Sequence, residues 1–361
     1  MVSVQHKLKH INMALIRRHS EGYNFIADTD SGVTMRWGKT FSEDPYRAPI
    51  PELIDISISN HCTKGCSFCY RDSIPNNIFM NVSDYEYIIK SLYDERWGNV
   101  FQVALGGGEP LEHPDFIEIL KITRKYNVIP NFTTNAMHIT KDIADQIKPL
   151  VGAVAISFPN IRTIPLSKAN IFIESGIKTN IHFILDKKSI KQGIEILEGK
   201  YNDLLQGFNS LIFLTFKPMG RGKEDLCLEL NDDLKKFCKL IDKHACNLNI
   251  GFDSCFMPML MHFTNTTIDF IEPCECAFFS AYVDENLNVK PCSFANHNRD
   301  TYNLREKSFS DIWNGHWDSY RNAQVNTCER SCKNSSNCRG GCPYYSQINL
   351  CKTDMPAESL V

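Results

Sequence analysis

The sequence lacks three features that mark membrane-spanning, exported or nucleic-acid-binding proteins. It has no run of about 18 apolar residues, so no membrane-spanning helix is predicted. Residues 1–20 include basic side chains but no uninterrupted apolar stretch before a small-residue cleavage site, so they do not predict a secretory signal. The formal net charge of −3 does not favour binding to nucleic acid or to an anionic membrane. A cytoplasmic protein that contacts neither is therefore expected.

Cysteine, by contrast, is abundant. The 361 residues include 15 cysteines, and a reducing cytosol would keep most of them from forming disulfides. This density without an export signal indicates metal binding, and the odd count argues against complete pairing. The remaining composition, 43% apolar and 22% charged, is that of an ordinary globular protein of roughly two domains.

Residues 1–49 are predicted to form an N-terminal extension with one helix and one hairpin. The spacing of an amphipathic helix is found at Leu8, Ile11, Ala14 and Leu15. Between residues 23 and 38, apolar residues alternate on both sides of the turn-forming sequence Asp30-Ser31-Gly32. This alternation predicts a β-hairpin.

Residues 50–254 alternate between strand and helix patterns. Six strands are predicted at about 53–58, 100–105, 128–134, 152–158, 178–185 and 210–217. A capping box of Ser83 and Glu86 is predicted to open the first helix between them. Alternating strands and helices predict an α/β fold with a parallel sheet, which right-handed crossovers curl into a partial (β/α)6 TIM-like barrel. A further helix at 231–245 and a strand at 247–253 are predicted to lead away from it.

Residues 255–361 lose this rhythm and are predicted to form a cysteine-rich, loop-rich C-terminal iron–sulfur domain. Asn, Ser and Gly become common, and a hairpin is predicted at 281–290. A segment with so little apolar periodicity needs other stabilisation, and the energy of metal binding can supply it.

Two motifs fall at the ends of the first two predicted strands. The first is Cys62-x3-Cys66-x2-Cys69, and the second is Gly107-Gly108-Glu109. In parallel α/β sheets the functional residues gather at the carboxyl ends of the strands, so both motifs are predicted to share one edge.

The three-cysteine motif favours an iron–sulfur cluster over zinc. Thiolates select either of these. A structural zinc site is closed by four ligands, whereas this loop offers three, and His61 is poorly placed to complete it. A zinc site would need a distant fourth ligand. Three thiolates can hold three irons of a four-iron cluster and leave the fourth iron open.

This motif, with the aromatic Phe68 before its last cysteine, resembles that of radical S-adenosylmethionine (SAM) enzymes. The resemblance implies that the open iron chelates the amino and carboxylate groups of SAM. One electron from the cluster then cleaves SAM to a 5′-deoxyadenosyl radical that abstracts hydrogen from the substrate. It also implies SAM contacts from Phe68, Tyr70 and the glycine motif, in which Gly107-Gly108-Glu109 meets the SAM amino group.

Other positions at the same edge follow from the same resemblance. Similar enzymes bind the SAM carboxylate or ribose at the places of Asn135 and Ser157, which end the third and fourth predicted strands. Pro159 stands where many relatives have an acidic residue. The loop after the sixth strand, which contains Lys217, resembles an adenine-side or substrate-side loop.

The tail resembles SPASM domains, the C-terminal extensions of radical SAM enzymes that carry two auxiliary four-iron clusters. The sequence Asn337-Cys338-Arg339-Gly340-Gly341-Cys342 is close to their C-x-G-G-C signature. The resemblance implies one auxiliary cluster on Cys255, Cys276, Cys292 and Cys342. It implies a second on Cys328, Cys332, Cys338 and Cys351.

The tail departs from the SPASM pattern in three ways. Cys328 and Cys332 are separated by three residues instead of two, Leu287 stands where a glycine is usual, and Cys274 competes with Cys276 as a ligand. A zinc ribbon over Cys328–Cys342 is the alternative, although it leaves Cys255, Cys276, Cys292 and Cys351 without a role.

SPASM-bearing relatives mostly modify peptides or proteins. The resemblance therefore implies a maturase that uses SAM and three [4Fe–4S] clusters to crosslink side chains oxidatively in a ribosomally made peptide with a leader segment. A flavodoxin- or ferredoxin-type protein is the implied electron donor. Asp253, two residues before Cys255, is the candidate proton acceptor.

Three alternatives remain open. Anaerobic sulfatase-maturing relatives usually have an acidic residue after the hairpin cysteine, but Ser293 follows Cys292 here. The same radical chemistry could act on a small metabolite. The third alternative is a binding protein stabilised by metal, without catalysis.

Overall fold

The computed structural model describes residues 15–30, 32–267, 271–295, 298–325, 332, 334 and 337–351. The chain divides into two units, Met1–Pro49 and Ile50–Val361. No helix in these described ranges is long and apolar enough to cross a membrane.

The described part of the N-terminal unit is an antiparallel sheet in the order β1-β2-β3. Its strands are β1 (Leu15–Ser20), β2 (Tyr23–Asp28) and β3 (Thr34–Trp37). The pairing of β2 with β3 confirms the predicted hairpin. The predicted helix is wrong at Leu15, which begins β1, because pairing with β2 satisfies that backbone instead. Leu8, Ile11 and Ala14 lie outside the described residues.

The second unit contains the predicted partial barrel. Its parallel strands are β4 (Leu53–Ser59), β5 (Gln102–Gly107), β6 (Ile129–Thr134), β7 (Ala153–Phe158), β8 (Lys178–Leu185), β9 (Ser210–Thr215) and β10 (Asn249–Phe252). The helices between them are α1 (Val82–Ser91), α2 (Phe116–Lys125), α3 (Lys141–Ile147), α4 (Leu166–Glu174), α5 (Ile190–Leu197) and α6 (Asp232–Ile241). This arrangement confirms the α/β fold class.

Two local predictions about the barrel are wrong. β10 pairs in parallel with β9, so the strand expected to lead away instead extends the sheet. Asn81 caps α1 by accepting a hydrogen bond from the Asp84 backbone N–H, which replaces the capping box predicted at Ser83. The Ser83 hydroxyl donates to the Asn81 side chain at 2.6 Å, so it supports the cap without being the cap.

The C-terminal region adds short strands to the same sheet and also contains short helices. They are α7 (Met257–Phe263), β11 (Ser280–Val283), β12 (Asn288–Lys290), β13 (Tyr302–Asn303), α8 (Phe309–Asp311) and α9 (Asp318–Val325). β11 and β12 form the predicted hairpin, and β11 also pairs in parallel with β4. The predicted division into domains at residues 254 and 255 stays a prediction.

Alternation along β4 separates the core from the interior of the barrel. Ile54, Ile56 and Ile58 are buried, and they pack in the core cluster that also includes apolar residues of α1 and α2. Each buried isoleucine contributes about 1.5–3 kcal/mol. Asp55 and Ser57 point to the opposite face, because successive strand residues alternate. That face is the wall of the functional cavity.

Candidate active site

A cavity of about 410 Å³ lies at the carboxyl ends of the parallel strands. All ten residues predicted for the first cluster and for SAM line it: Cys62, Cys66, Phe68, Cys69, Tyr70, Gly107, Gly108, Glu109, Asn135 and Ser157. The structure thus brings together residues from the cysteine loop and from the ends of β5, β6 and β7. Their individual roles stay predictions.

The glycine turn is held directly against the cysteine loop. The Gly108 N–H donates to the Ser59 carbonyl at 2.7 Å, and the Glu109 N–H donates to the His61 carbonyl at 2.9 Å. A Cβ on Gly108 would overlap the His61 backbone. Gly107 has φ +101°, and a Cβ there would overlap Ser57 and Ser59. Only glycine allows this approach of two backbones.

Glu109 is fixed in the wall of the cavity by three donors. Its carboxylate accepts hydrogen bonds from the Asn135 N–H at 2.7 Å, the Thr134 hydroxyl at 2.5 Å and the Leu111 N–H at 3.1 Å. Burial raises the pKa of Glu109, while these hydrogen bonds act in the opposite direction. The side chain therefore has one orientation, as a recognition group for a cation or amine requires.

Arg221 stabilises the cysteine loop through hydrogen bonds. This contact was not predicted from the sequence. Its guanidinium donates to the Cys66 carbonyl at 2.7 Å and to the Ser73 carbonyl at 2.9 Å. Its backbone N–H donates to the Cys69 carbonyl at 3.0 Å. The loop after β9 had been noted for Lys217, but no local pattern in it indicates a partner in the cysteine loop.

Replacing Arg221 with glutamine is expected to destabilise the cysteine loop by about 1–2 kcal/mol, because its charge-assisted hydrogen bonds to Cys66, Ser73 and the Asp72 carboxylate are lost. Iron bound per chain after anaerobic reconstitution should fall. The matched control is Arg162→Gln, since Arg162 makes a surface ion pair with Glu195 and such pairs contribute little. Equal iron loss in both variants would contradict the role of Arg221 in stabilising the cysteine loop.

An ion pair connects the cysteine loop to the C-terminal region. Arg71 donates to both oxygens of Glu285 at 2.8 and 2.6 Å, and both side chains are nearly buried. The Ser57 hydroxyl donates to the same carboxylate at 2.8 Å. The turn between β11 and β12 therefore helps to position the loop after β4.

Asp55 carries a half-buried carboxyl group that lines the cavity. Among the described residues it has no hydrogen-bond or ion-pair partner. Burial, with a smaller contribution from the charge of Glu275, raises the pKa of Asp55 to about 7. His182 lines the same cavity, and its burial lowers its pKa to about 4, so its imidazole is neutral at physiological pH. Sequence reasoning missed Asp55 because one acidic residue in a strand gives no signal.

Asp55 gives the stability of the protein a pH dependence. From about pH 4 to 7 the folded chain keeps a proton that the unfolded chain has lost, so this contribution to stability falls as pH rises through that range. Asp55→Asn removes the ionisable carboxyl group and with it this loss of stability at higher pH. Above pH 7 the variant should be more stable than the wild type, by up to about 4 kcal/mol. Thermal unfolding of both proteins at pH 5 and pH 8 tests this, and a difference that does not grow with pH would contradict it.

Asp253 lies in the cavity wall with its oxygens already occupied. It accepts from Lys217 Nζ at 2.8 Å, the Thr215 hydroxyl at 2.7 Å and the Phe256 N–H at 3.2 Å. Lys217 also donates to the Thr215 carbonyl at 2.9 Å. Burial of Lys217 opposes its charge, but Asp253 and nearby thiols outweigh this and raise the pKa of Lys217. The role of Asp253 as proton acceptor stays a prediction.

Five cysteines of the C-terminal region neighbour one another. The Cys342 thiol raises the pKa of Cys255, and the thiols of Cys274 and Cys292 raise the pKa of Cys276, as only close neighbours can. The four residues predicted for the first auxiliary cluster are thus linked in two pairs, and Cys274 joins one of them. The choice between Cys274 and Cys276 remains open.

The second predicted auxiliary set is described only in part. Cys332, Cys338 and Cys351 are half-buried and form no disulfide, and Cys328 lies outside the described residues. Within the described ranges, no three His, Cys, Asp or Glu side chains are placed to share one metal ion. A four-iron cluster instead takes each thiolate on a separate iron, which requires a wider spacing.

Comparison with known proteins identifies the segment that carries the cysteine loop and the glycine turn. Residues 56–161 match the family model described as Radical SAM superfamily. The chain carries a radical SAM domain. The matched segment begins within β4 and includes the cysteine loop and the glycine turn.

Curated relatives fall into two groups by name. The probable GTP 3′,8-cyclase of Saccharolobus solfataricus is 23% identical over 217 residues, covering 55% of this chain and 67% of the cyclase. Mycofactocin maturase MftC of Mycobacterium tuberculosis is 22% identical over 268 residues, covering 67% of this chain and 66% of MftC. The match therefore spans about two thirds of each relative.

Solved structures share the fold over a longer range. SuiB of Streptococcus suis, bound to S-adenosylmethionine, has a TM-score of 0.69 at 17% identity, covering 95% of this chain and 96% of SuiB. The structure of anSMEcpe with bound AdoMet has a TM-score of 0.60 at 18% identity, covering 84% of this chain and 91% of anSMEcpe. The shared fold thus extends well beyond the radical SAM domain.

The radical SAM domain makes this chain an enzyme of radical chemistry that uses SAM and an iron–sulfur centre. When bound, these cofactors supply a 5′-deoxyadenosyl radical. The residues present fit them, since three free thiols line one cavity and can leave an iron open. Beside them, the turn at Gly107 and Gly108 brings the fixed carboxylate of Glu109 to the same wall.

Proposed function

We propose that the chain is a radical SAM peptide maturase that oxidatively crosslinks side chains of a ribosomally made peptide. The observation that carries the proposal is the position of the cavity between two groups of thiols. Cys62, Cys66 and Cys69 line it directly, and Ser293 and Phe294, which follow Cys292, also line it. Such a cavity can hold a substrate between the site of hydrogen abstraction and an electron acceptor.

The proposed ligands follow the placement of the cysteines. Cys62, Cys66 and Cys69 hold the SAM-binding cluster. SAM contacts come from Phe68, Tyr70, Gly107, Gly108, Glu109, Asn135 and Ser157. The first auxiliary cluster uses Cys255, Cys276, Cys292 and Cys342, and the second uses Cys328, Cys332, Cys338 and Cys351. Closed clusters of this kind suit an oxidative outcome, because they accept electrons without binding the substrate.

The names of similar proteins support a peptide substrate. MftC is a mycofactocin maturase, a relative from Gluconobacter oxydans is a PqqA peptide cyclase, and SuiB has been solved with its precursor peptide SuiA. The SuiB fold covers 95% of this chain, so the likeness includes the auxiliary region.

Anaerobic reconstitution followed by dithionite and SAM tests the enzymatic part, and 5′-deoxyadenosine is the expected product. The peptide part is tested by co-expression with a short open reading frame beside the gene. Mass spectrometry should show the loss of two hydrogen atoms from that peptide. Production of 5′-deoxyadenosine with an unchanged peptide would reject this peptide as the substrate while leaving the radical chemistry intact.

A small-metabolite substrate is the second candidate, because several relatives are named GTP 3′,8-cyclases. The first of these matches covers only 55% of the chain. Incubation of the reconstituted protein with GTP, SAM and dithionite separates the candidates. Consumption of GTP would favour this alternative over the maturase.

The N-terminal sheet is the proposed site for the leader segment of the peptide. β3 is an edge strand of the described sheet, and Met35 on it and Val33 just before it are exposed. An extended peptide can add a strand to such an edge. Deleting residues 1–40 should weaken peptide binding, and unchanged affinity would contradict this docking site.

A flavodoxin- or ferredoxin-type protein is the proposed electron donor.

A further inference from the structure

Lys217 occupies an unusual position between the cavity and the thiols of the C-terminal region. Its side chain is only 3% exposed, although it carries a full positive charge. It lines the cavity, and its ammonium lies 4.4 Å from the centre of the Phe294 ring. Burying a lysine ammonium is costly, so its retention here calls for a function.

Phe294 connects this ammonium to the cysteine loop and to the thiols of the C-terminal region. Its backbone N–H donates to the Cys292 sulfur at 3.3 Å. Its ring lies 4.6 Å from the ring of Tyr70, which directly follows Cys69. Lys217 therefore sits at the junction of the cysteine loop, the cavity and the first predicted auxiliary site.

The charge of Lys217 acts more widely than that of its partner Asp253. The ammonium interacts electrostatically with the thiols of Cys255, Cys292 and Cys342. The Asp253 carboxylate opposes it at Cys255, where Lys217 has the larger effect. The pair is neutral as a whole, but its two charges do not cancel at the Cys255 thiol. Because the Lys217 side chain is almost fully buried, water screens its charge weakly.

We propose that Lys217 sets the charge of the first auxiliary site and makes the iron–sulfur cluster held there a better electron acceptor. The proposal rests on the auxiliary cluster assigned under the proposed function. A nearby cation stabilises the more negative, reduced form of a cluster and so raises its reduction potential. The step is the transfer of one electron to that cluster from the carbon-centred substrate radical left by hydrogen abstraction under the proposed function, so that the radical is oxidised and the cluster is reduced by one electron. Lys217 forms and breaks no bond and keeps its proton.

The test is a redox titration of the reconstituted protein followed by electron paramagnetic resonance, with no substrate present. The Cys62, Cys66 and Cys69 to alanine background removes the signal of the SAM-binding cluster. Lys217→Met should make one auxiliary potential more negative, by about tenfold in the reduction equilibrium, or about 59 mV for one electron. Lys217→Arg keeps the positive charge, so its auxiliary potential should stay close to that of the wild type.

Two further variants keep the test decisive. Asp253→Asn removes the opposing charge and should shift the same potential in the positive direction, even if Lys217→Met fails to fold. Lys188→Met makes the same change in net charge at an exposed position and should shift nothing. Opposite signs for Lys217→Met and Asp253→Asn support the proposal, because loss of packing alone would not reverse sign.

The possible failures are distinguishable. If the alanine background binds no iron, the auxiliary clusters themselves are wrong, and the role of Lys217 falls with them. If iron is retained and Lys217→Met titrates like Lys188→Met, only the role of Lys217 is overturned. Shifts of the same sign in Lys217→Met and Asp253→Asn would also overturn it.

Discussion

Replacing Cys62, Cys66 and Cys69 together with alanine is expected to abolish SAM cleavage completely. All three thiols line one cavity, and an open iron can exist only where a cluster has three protein ligands there. About a third of the total iron should be lost, since one of three proposed clusters is removed. The measurements are 5′-deoxyadenosine by chromatography and iron per chain after reconstitution.

The same variant checks the assignment of the cysteines to two separate regions. The five neighbouring cysteines around Cys276 belong to other elements of the chain, so their iron should remain. Loss of all the iron from the triple variant would contradict the two-region assignment. Retention of SAM cleavage would contradict the assignment of the first cluster.

Gly108→Ala is expected to have the second-largest effect, although it adds only one methyl group. That methyl would overlap the backbone of His61, which a rotamer change cannot relieve. Forcing the turn away from the cysteine loop should cost about 3 kcal/mol and displace the adjoining Glu109. We expect a lower melting temperature and the loss of measurable SAM binding by equilibrium dialysis.

Gly106→Ala is the matched control for stability. It adds the same methyl group two residues earlier in β5, where nothing lies within 4 Å of the new Cβ. Its melting temperature should stay close to that of the wild type. Equal destabilisation in the two variants would show that the loss comes from glycine flexibility and not from the close approach at Gly108.

Local motifs explain why much of the site could be predicted. The proposed ligands Cys62, Cys66 and Cys69 lie within a segment of eight residues, so their spacing alone constrains their joint role. Strand and helix periodicity then placed this loop and the turn at Gly107 on one edge. The carboxyl ends of parallel strands lie at one edge of the sheet, whatever side chains those ends carry.

Long-range contacts explain what could not be predicted. Arg221 reaches the Cys66 carbonyl across about 150 residues of sequence, and backbone acceptors leave no trace in side-chain identity. Asp253 was noticed for its closeness to Cys255, but its partner Lys217 becomes visible only when β9 and β10 pair. In each case a crossover of the sheet creates the contact.

The pairing of β11 with β4 has a consequence for how this chain folds. β4 is the first barrel strand to be synthesised, but Leu53 meets its partner Ser280 only after most of the chain has been made. Until then one side of β4 has unpaired backbone groups, and such open edges recruit strands from other molecules. Contacts so distant in sequence also slow folding. A fragment that ends at residue 254 should therefore aggregate even though it contains the whole radical SAM domain.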